Sequence, residues 1–173
     1  ISTTVSVSIA DSGQDHTIVY SAVTGLADSA TIAVGGLTGA ADITAAGIEN
    51  LTISFSGTTN SVEVSAAAAT VLTLSGAADT TIANLNTADT DSLTSINASA
   101  MTGDLTLTTG AMDIGSATLT VTGGAGGDTI NVAAAGTTVN VSAGAGDDTI
   151  LLGAGDNTVA GGAGTDILSV GAA

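Results

Sequence analysis

The chain has 173 residues, with 16 acidic side chains against no Lys or Arg, so its formal net charge is −16. This charge argues against a nucleic-acid partner, because binding to phosphates requires basic residues, and against direct attraction to anionic lipid. The lack of Cys excludes disulfides, and no apolar run reaches the ~18 residues of a membrane-spanning helix. Because the chain starts at Ile1 without a signal peptide, we expect it to be a piece of a longer one.

The apolar residues of the chain are mostly small and aliphatic. They make up 44% of the sequence, but the aromatic residues are limited to Tyr20 and Phe55. Aromatic side chains bury the most area in large cores. Their scarcity favours a thin solenoid, whose narrow interior suits Ala, Val, Ile and Leu.

Taken in order, the chain is a series of short segments with apolar and polar residues in alternation, separated by Gly, Asp, Asn and Ser. This pattern predicts β-strands and turns. The predicted strands are residues 5–9, 17–20, 31–34, 51–55, 61–64, 71–74, 81–83, 95–97, 105–108 and 118–121. They recur every ten to twelve residues or so, which is typical of an all-β or solenoid array. No long helix is predicted, although a helical turn fits residues 40–46 or 87–93.

Four nine-residue units follow near the C-terminus, and they approach the template G-G-x-G-x-D-x-U-x, where U is a large aliphatic residue. The units are 123–131, 143–151, 152–160 and 161–169. Units 123–131 and 161–169 fit every fixed position, and unit 152–160 is the weakest because Asn157 replaces the aspartate. The stretch resembles the calcium-binding nonapeptide repeat of RTX proteins. Glycines permit the positive φ of tight turns, and carbonyl and carboxylate oxygens are the ligands that calcium prefers.

The spacing of the units predicts a column of aspartates. Two units make one turn of a coil, and Asp128, Asp148 and Asp166 follow one another at about that interval, so they stack on one edge with calcium between successive members. The opposite edge holds Asp156-Asn157 and a turn near 135–137 that has no carboxylate. The predicted metal-binding residues are Asp128, Asp147, Asp148, Asp156, Asn157, Asp166, Gly124, Gly126, Gly144, Gly146, Gly162 and Gly164.

A second, weaker resemblance covers the rest of the chain. Residues 93–107 read L-T-x-I-x-A-S-x-x-T-G-x-L-T-L and, with the Ala-, Thr- and Ser-rich, acidic composition, resemble the repetitive part of RTX-type bacterial surface-layer (S-layer) proteins. The resemblance implies a right-handed parallel β-solenoid, irregular over 1–120 and continuous with an RTX calcium β-roll over 121–173. It also implies a structural protein that a type I system exports to the cell surface. There it would fold with calcium and self-associate into a lattice or filament, with calcium bridging to neighbouring subunits or to an anionic cell surface.

Other functional classes remain open. An adhesin or biofilm-matrix filament, or the RTX domain of an exported enzyme or toxin, would share these repeats. The chain itself gives little support for an enzyme, because its one histidine, His16, is interpreted as a solvated residue beside Asp15 in a turn, and no zinc-ligand cluster or phosphate-binding loop occurs. The Asp89 and Asp91 pair is interpreted as surface residues or a further calcium site. Turn aspartates before strands are open to the same two interpretations; they are Asp11, Asp15, Asp28, Asp42 and Asp79.

Overall fold

The computed structural model describes residues 5–10, 16–19, 25, 27–39, 41–86, 92–112, 114 and 116–171. Asp11, Asp15, Asp89 and Asp91 lie outside this set. The described residues form sixteen strands. The strands are β1 Val5–Ala10, β2 His16–Val19, β3 Ser29–Gly35, β4 Ala41–Ala46, β5 Asn50–Ser56, β6 Thr59–Ser65, β7 Val71–Gly76, β8 Asp79–Asn86, β9 Ser95–Met101, β10 Leu105–Thr109, β11 Leu119–Thr122, β12 Thr129–Val132, β13 Val139–Ala145, β14 Thr149–Leu152, β15 Thr158–Ala163 and β16 Ile167–Val170. Within the described ranges, no helix is both long enough and apolar enough to span a membrane.

The strands alternate between two parallel sheets, as a coiled chain requires. The odd-numbered strands form sheet A, in the order β1-β3-β5-β7-β9-β11-β13-β15, and the even-numbered strands form sheet B, from β2 to β16. Each strand therefore pairs with the strand one turn before it and the strand one turn after it. The prediction of an all-β parallel β-solenoid is confirmed.

The length of one turn changes along the solenoid. Near the C-terminus, Val141 pairs with Val159, so one turn has the length of two nonapeptide units. In the N-terminal part the turns are longer, as the pairing of Leu51 with Leu72 shows, and that of His16 with Ile43 is longer still. The sequence predicts turns of about 18–22 residues. That value fits the nonapeptide region but is too short for several earlier turns, where the extra residues lie between strands.

The core is a set of aliphatic ladders between the two sheets. On sheet A, Ile32, Ile53 and Leu74 stand in register on successive strands and are fully buried. On sheet B, Leu107 and Ile130 do the same. Each such side chain contributes about 1.5–3 kcal/mol of burial free energy. Because each ladder position contacts the next turn, stability is a sum of stacking terms between neighbouring turns.

Two local expectations about the N-terminal part need correction. Residues 40–46, for which the alanine content allows a helical turn, contain β4, with Ala41, Ile43 and Ala45 buried in alternation. Pairing with β2 and β6 decides this, because strand partners on both sides override the weak preference of alanine. Similarly, His16 begins β2 rather than lying in a turn.

Candidate calcium site

The three predicted aspartates stack on the edge where the chain passes from sheet A to sheet B, here called the A-to-B edge. Each precedes a strand of sheet B directly, and each is tied to the turn before it. The backbone N–H of Leu105 donates to Asp128 Oδ1 at 2.9 Å, that of Asp128 donates to Asp148 Oδ1 at 2.7 Å, and that of Asp148 donates to Asp166 Oδ1 at 3.2 Å. The structure thus places Asp128, Asp148 and Asp166 in one column, here called the inner column.

A second column of side chains runs beside the first, one residue earlier in each turn, and its carboxylates point the opposite way along the solenoid. Asp147 Oδ1 accepts from the N–H of Thr165 in the following turn at 2.8 Å. Asp104 Oδ1 accepts from Gly127 at 2.9 Å, and Asp79 Oδ1 accepts from Asp104 at 3.0 Å. Inner-column carboxylates therefore bond to the preceding turn and these outer-column carboxylates to the following one.

The predicted glycines line the narrow gaps between these turns. Gly144 has φ +119°, and a Cβ there would overlap the carbonyl oxygen of Gly124 one turn earlier; Gly162, with φ +115°, stands in the same relation to Gly144. A Cβ on Gly126 would come within 2.7 Å of the carbonyl oxygen of Gly103. Gly146 and Gly164 repeat the pattern at the next steps. Carbonyl oxygens of one turn therefore face the next turn closely, as the hydrogen bond from the N–H of Ala145 to the carbonyl oxygen of Gly124 at 3.0 Å shows, and a Cβ does not fit above them.

Burial sets the electrostatics of the inner column. Asp128 and Asp148 are each 1% exposed. Burial raises the pKa of Asp128, and the nearby charges of Asp148 and Asp104 raise it further, while hydrogen bonds from Gly124 and Leu105 act in the opposite direction. Burial likewise raises the pKa of Asp148, with added repulsion from Asp166 and Asp147. These carboxylates are therefore costly to ionise without a cation.

The residues present fit calcium. Asp148 Oδ2 is buried and has no hydrogen-bond partner among the described residues, so a hard oxygen is available inside the turn. The glycine carbonyls add neutral oxygens of the same kind, and calcium takes six to eight of them. In the part of the chain that the structure describes, no three acidic or histidine side chains converge on one point. A calcium ion on this edge would accordingly combine carboxylates of the column with backbone carbonyls.

The raised pKa values predict that acid stabilises the calcium-free protein. Because the folded-state pKa of Asp128 and Asp148 lies above the ordinary value of about 3.9, the folded state holds protons more tightly than the unfolded chain. Its stability is then greatest below about pH 4 and falls as the pH rises through the folded-state pKa. Far-UV circular dichroism of dialysed, calcium-stripped protein should show β signal increasing from pH 7 towards pH 4.

The control for this pH effect is Asp148→Asn, which removes one of the two buried carboxyl groups of the inner column and should flatten the profile. A β signal that decreases on acidification in the calcium-free wild type would contradict the prediction.

The opposite edge, where the chain passes from sheet B to sheet A (the B-to-A edge), is built differently. Asn157 Oδ1 accepts from the N–H of Val139 at 2.9 Å, and its Nδ2 donates to the carbonyl oxygen of Gly153 at 3.0 Å. Asp156 is exposed at the tip of this turn. Asp156 and Asn157 are thus remote from the aspartate columns, as the spacing predicts, and calcium binding by them stays a prediction.

A comparison with protein families agrees with this geometry. Residues 140–172 match the family described as RTX calcium-binding nonapeptide repeat (4 copies). The chain carries RTX calcium-binding nonapeptide repeats near its C-terminus. RTX repeats bind calcium, form a β-roll and suggest an exported protein. No curated protein and no solved structure matches the chain.

The RTX match starts after unit 123–131, yet Asp128 of that unit has the same stacking contact as Asp148. Sequence reasoning missed Asp104 altogether and left Asp79 open. The strand register contained the signal. Leu107 pairs with Ile130, and Asp104 and Gly127 stand three residues before them. Asp104 and Gly127 therefore occupy the same place in successive turns. Aligning strands rather than glycines would have extended the outer column upstream of the RTX repeats.

Proposed function

We propose that this chain is a structural subunit of a calcium-dependent bacterial surface layer. It is exported by a type I system, folds in the calcium outside the cell and assembles with copies of itself. The observation that carries the proposal is the doubled aspartate column on the A-to-B edge, in a chain without a basic side chain to neutralise it. Calcium is then both the folding cofactor and the signal that export is complete.

The folding step follows from the charges. At neutral pH and low calcium, four neighbouring carboxylates repel one another and two of them are buried; they are Asp128, Asp147, Asp148 and Asp166. This repulsion keeps the turns apart, so the chain stays loose enough for export. Calcium removes the repulsion and joins successive turns, and its binding free energy becomes folding free energy.

Self-association is supported by the outer faces of the sheets. Thr81, Thr106, Thr129 and Thr149 stand in register on successive strands of sheet B. Strands in a sheet are about 4.8 Å apart, so these short side chains form a regular row without bulky projections. Such a face suits lateral packing of many identical subunits, as a lattice requires.

Catalysis is not part of the proposal. The chain has one histidine, His16, and no cysteine, and the described carboxylates of the A-to-B edge are engaged in bonds between turns. The filament alternative shares this chemistry and differs only in the geometry of assembly. An RTX domain of an exported enzyme or toxin would stay monomeric after calcium-induced folding.

Electron microscopy of negatively stained protein tests the proposal. Calcium-stripped chain should give no ordered particles, and addition of millimolar calcium should give two-dimensional arrays, with magnesium as the control cation. Fibres would favour the adhesin or matrix filament. Folded particles that remain single at high protein concentration would contradict self-assembly.

A further inference from the structure

Two asparagines occupy the place in their turns that Asp128 occupies in the RTX turn. Asn157 is the sixth residue of unit 152–160, as Asp128 is of unit 123–131. Asn60 lies on the A-to-B edge, in the same inner column as Asp128 but in an earlier turn. All three side chains accept a hydrogen bond from a backbone N–H one turn earlier, given by Val139, Leu37 and Leu105 respectively.

The other terminal atom of each side chain, Oδ2 in aspartate and Nδ2 in asparagine, distinguishes the aspartate turn from the asparagine turns. Asp128 Oδ2 accepts from the N–H of Gly124, four residues earlier, at 2.8 Å. Asn157 Nδ2 instead donates to the carbonyl oxygen of Gly153, four residues earlier, at 3.0 Å. Asn60 Nδ2 donates to the carbonyl oxygen of Ser56, again four residues earlier, at 3.1 Å.

We infer that Asn60 and Asn157 hold their turns by inter-turn amide bridges that need no metal. Each bridge uses the amide oxygen to bind the preceding turn and the amide nitrogen to close its own turn. A neutral amide satisfies both contacts without a charge that must be compensated. The same backbone turn is therefore held in two ways, by an ionised side chain with calcium or by an amide alone.

The inference also removes Asn157 from the predicted calcium ligands. The carbonyl oxygen of Gly153 corresponds to that of Gly124 on the A-to-B edge; it accepts from the NH₂ group of Asn157 in its own turn, whereas Gly124 accepts from the N–H of Ala145 in the following turn. A cation placed against it would meet the positive end of that amide dipole. The preceding turn on the B-to-A edge, 135–137, contains no carboxylate, and the turn of Asn157 contains one, the exposed Asp156. Residue 157 therefore adds no calcium ligand, and Asp156 is the predicted ligand that remains on the B-to-A edge of the repeats.

Amide deletion tests the inference on the folded, calcium-loaded chain. Asn157→Ala and Asn60→Ala should each lower Tm by about 4–8 °C, because two hydrogen bonds between or within turns are lost. The loss should persist at any calcium concentration, and the number of calcium ions bound per chain should equal that of the wild type. Asn131→Ala is the matched control, since among the described residues the Asn131 side chain accepts one hydrogen bond, from the N–H of Ala133 in its own turn at 3.1 Å, and the substitution should change Tm little.

A drop in bound calcium in Asn157→Ala, or recovery of its Tm by added calcium, would make Asn157 a ligand and overturn the inference. Hydrogen exchange in the wild type gives a test that does not depend on folding of the variants. The bridges predict slow exchange at the backbone N–H groups of Val139 and Leu37. Exchange there as fast as in an exposed turn would overturn the inference as well.

Discussion

Replacing Asp148 by Ala will raise the calcium concentration at the midpoint of folding by about 10–100-fold. Asp148 is the shared member of the inner column: its Oδ1 accepts from Asp128, and its own N–H donates to Asp166. The substitution leaves the buried N–H of Asp128 without its acceptor, which alone costs about 1–3 kcal/mol. It also removes the unpartnered Oδ2, which is the oxygen best placed to receive a cation.

The measurement is far-UV circular dichroism during a calcium titration of stripped protein, with magnesium run in parallel. Asp156→Ala is the matched control, because Asp156 is an exposed aspartate within the same RTX repeats but on the other edge. Its calcium midpoint should shift far less than that of Asp148→Ala, because the exposed carboxylate of Asp156 is not part of the inner column. If Asp148→Ala and Asp156→Ala have the same midpoint, the inner column is not where calcium acts. The calcium midpoints of Asp128→Ala and Asp166→Ala should lie between those of Asp156→Ala and Asp148→Ala.

Replacing Gly144 by Ala will destabilise the roll in a way that calcium cannot correct. The backbone φ of Gly144 is +119°, outside the range that a residue with a Cβ adopts without strain, which costs about 1–3 kcal/mol. The added Cβ would also overlap the carbonyl oxygen of Gly124 in the preceding turn. Forcing these turns apart adds about 1–3 kcal/mol of packing cost and displaces the carbonyls that face the gap.

Gly136→Ala is the comparison for this second variant. Gly136 also has a positive φ, +66°, but a Cβ there would be 3.6 Å from its nearest neighbour, the carbonyl oxygen of Met112. Urea unfolding in saturating calcium should therefore show a loss for Gly144→Ala several times that for Gly136→Ala. Equal losses would mean that the overlap with the carbonyl oxygen of Gly124 adds no measurable cost.

Sequence reasoning reaches furthest where the repeat is regular. The recurrence of aspartate at intervals of about two units was enough to place Asp128, Asp148 and Asp166 in one column, because each stands directly before a strand of the same sheet. It fails where turns vary in length, since the pairing of Asp104 with Gly127 depends on strand register that irregular turns hide. The prediction for residues 40–46 fails for a related reason, because the partners of β4, which are β2 and β6, are distant in sequence and alanine gives no local signal of a strand.

The contacts that individual atoms make within a turn could not be predicted from the sequence either. The letter pattern treats Asn157 as a weakened aspartate, and only the donor at Nδ2 and the acceptor at Gly153 reveal a different bond. Likewise, the template marks Gly144 as a turn residue, whereas its main constraint is the carbonyl of Gly124 beneath it. These distinctions depend on contacts between turns, which a single repeat does not contain.

The change in turn length along the solenoid has a consequence for how such a chain diversifies. In the N-terminal part, the long turn from His16 to Ile43 and the shorter one from Leu51 to Leu72 coexist with intact pairing, so insertions between strands leave the ladders unchanged. In the nonapeptide region, the steps from Asp128 to Asp148 and from Asp148 to Asp166 are 20 and 18 residues, and both keep the inner column in line. A change of length between strands is therefore tolerated there as well. One residue added within a strand would instead reverse the facing of the side chains that follow it in that strand, so variants should gain residues between strands rather than inside them.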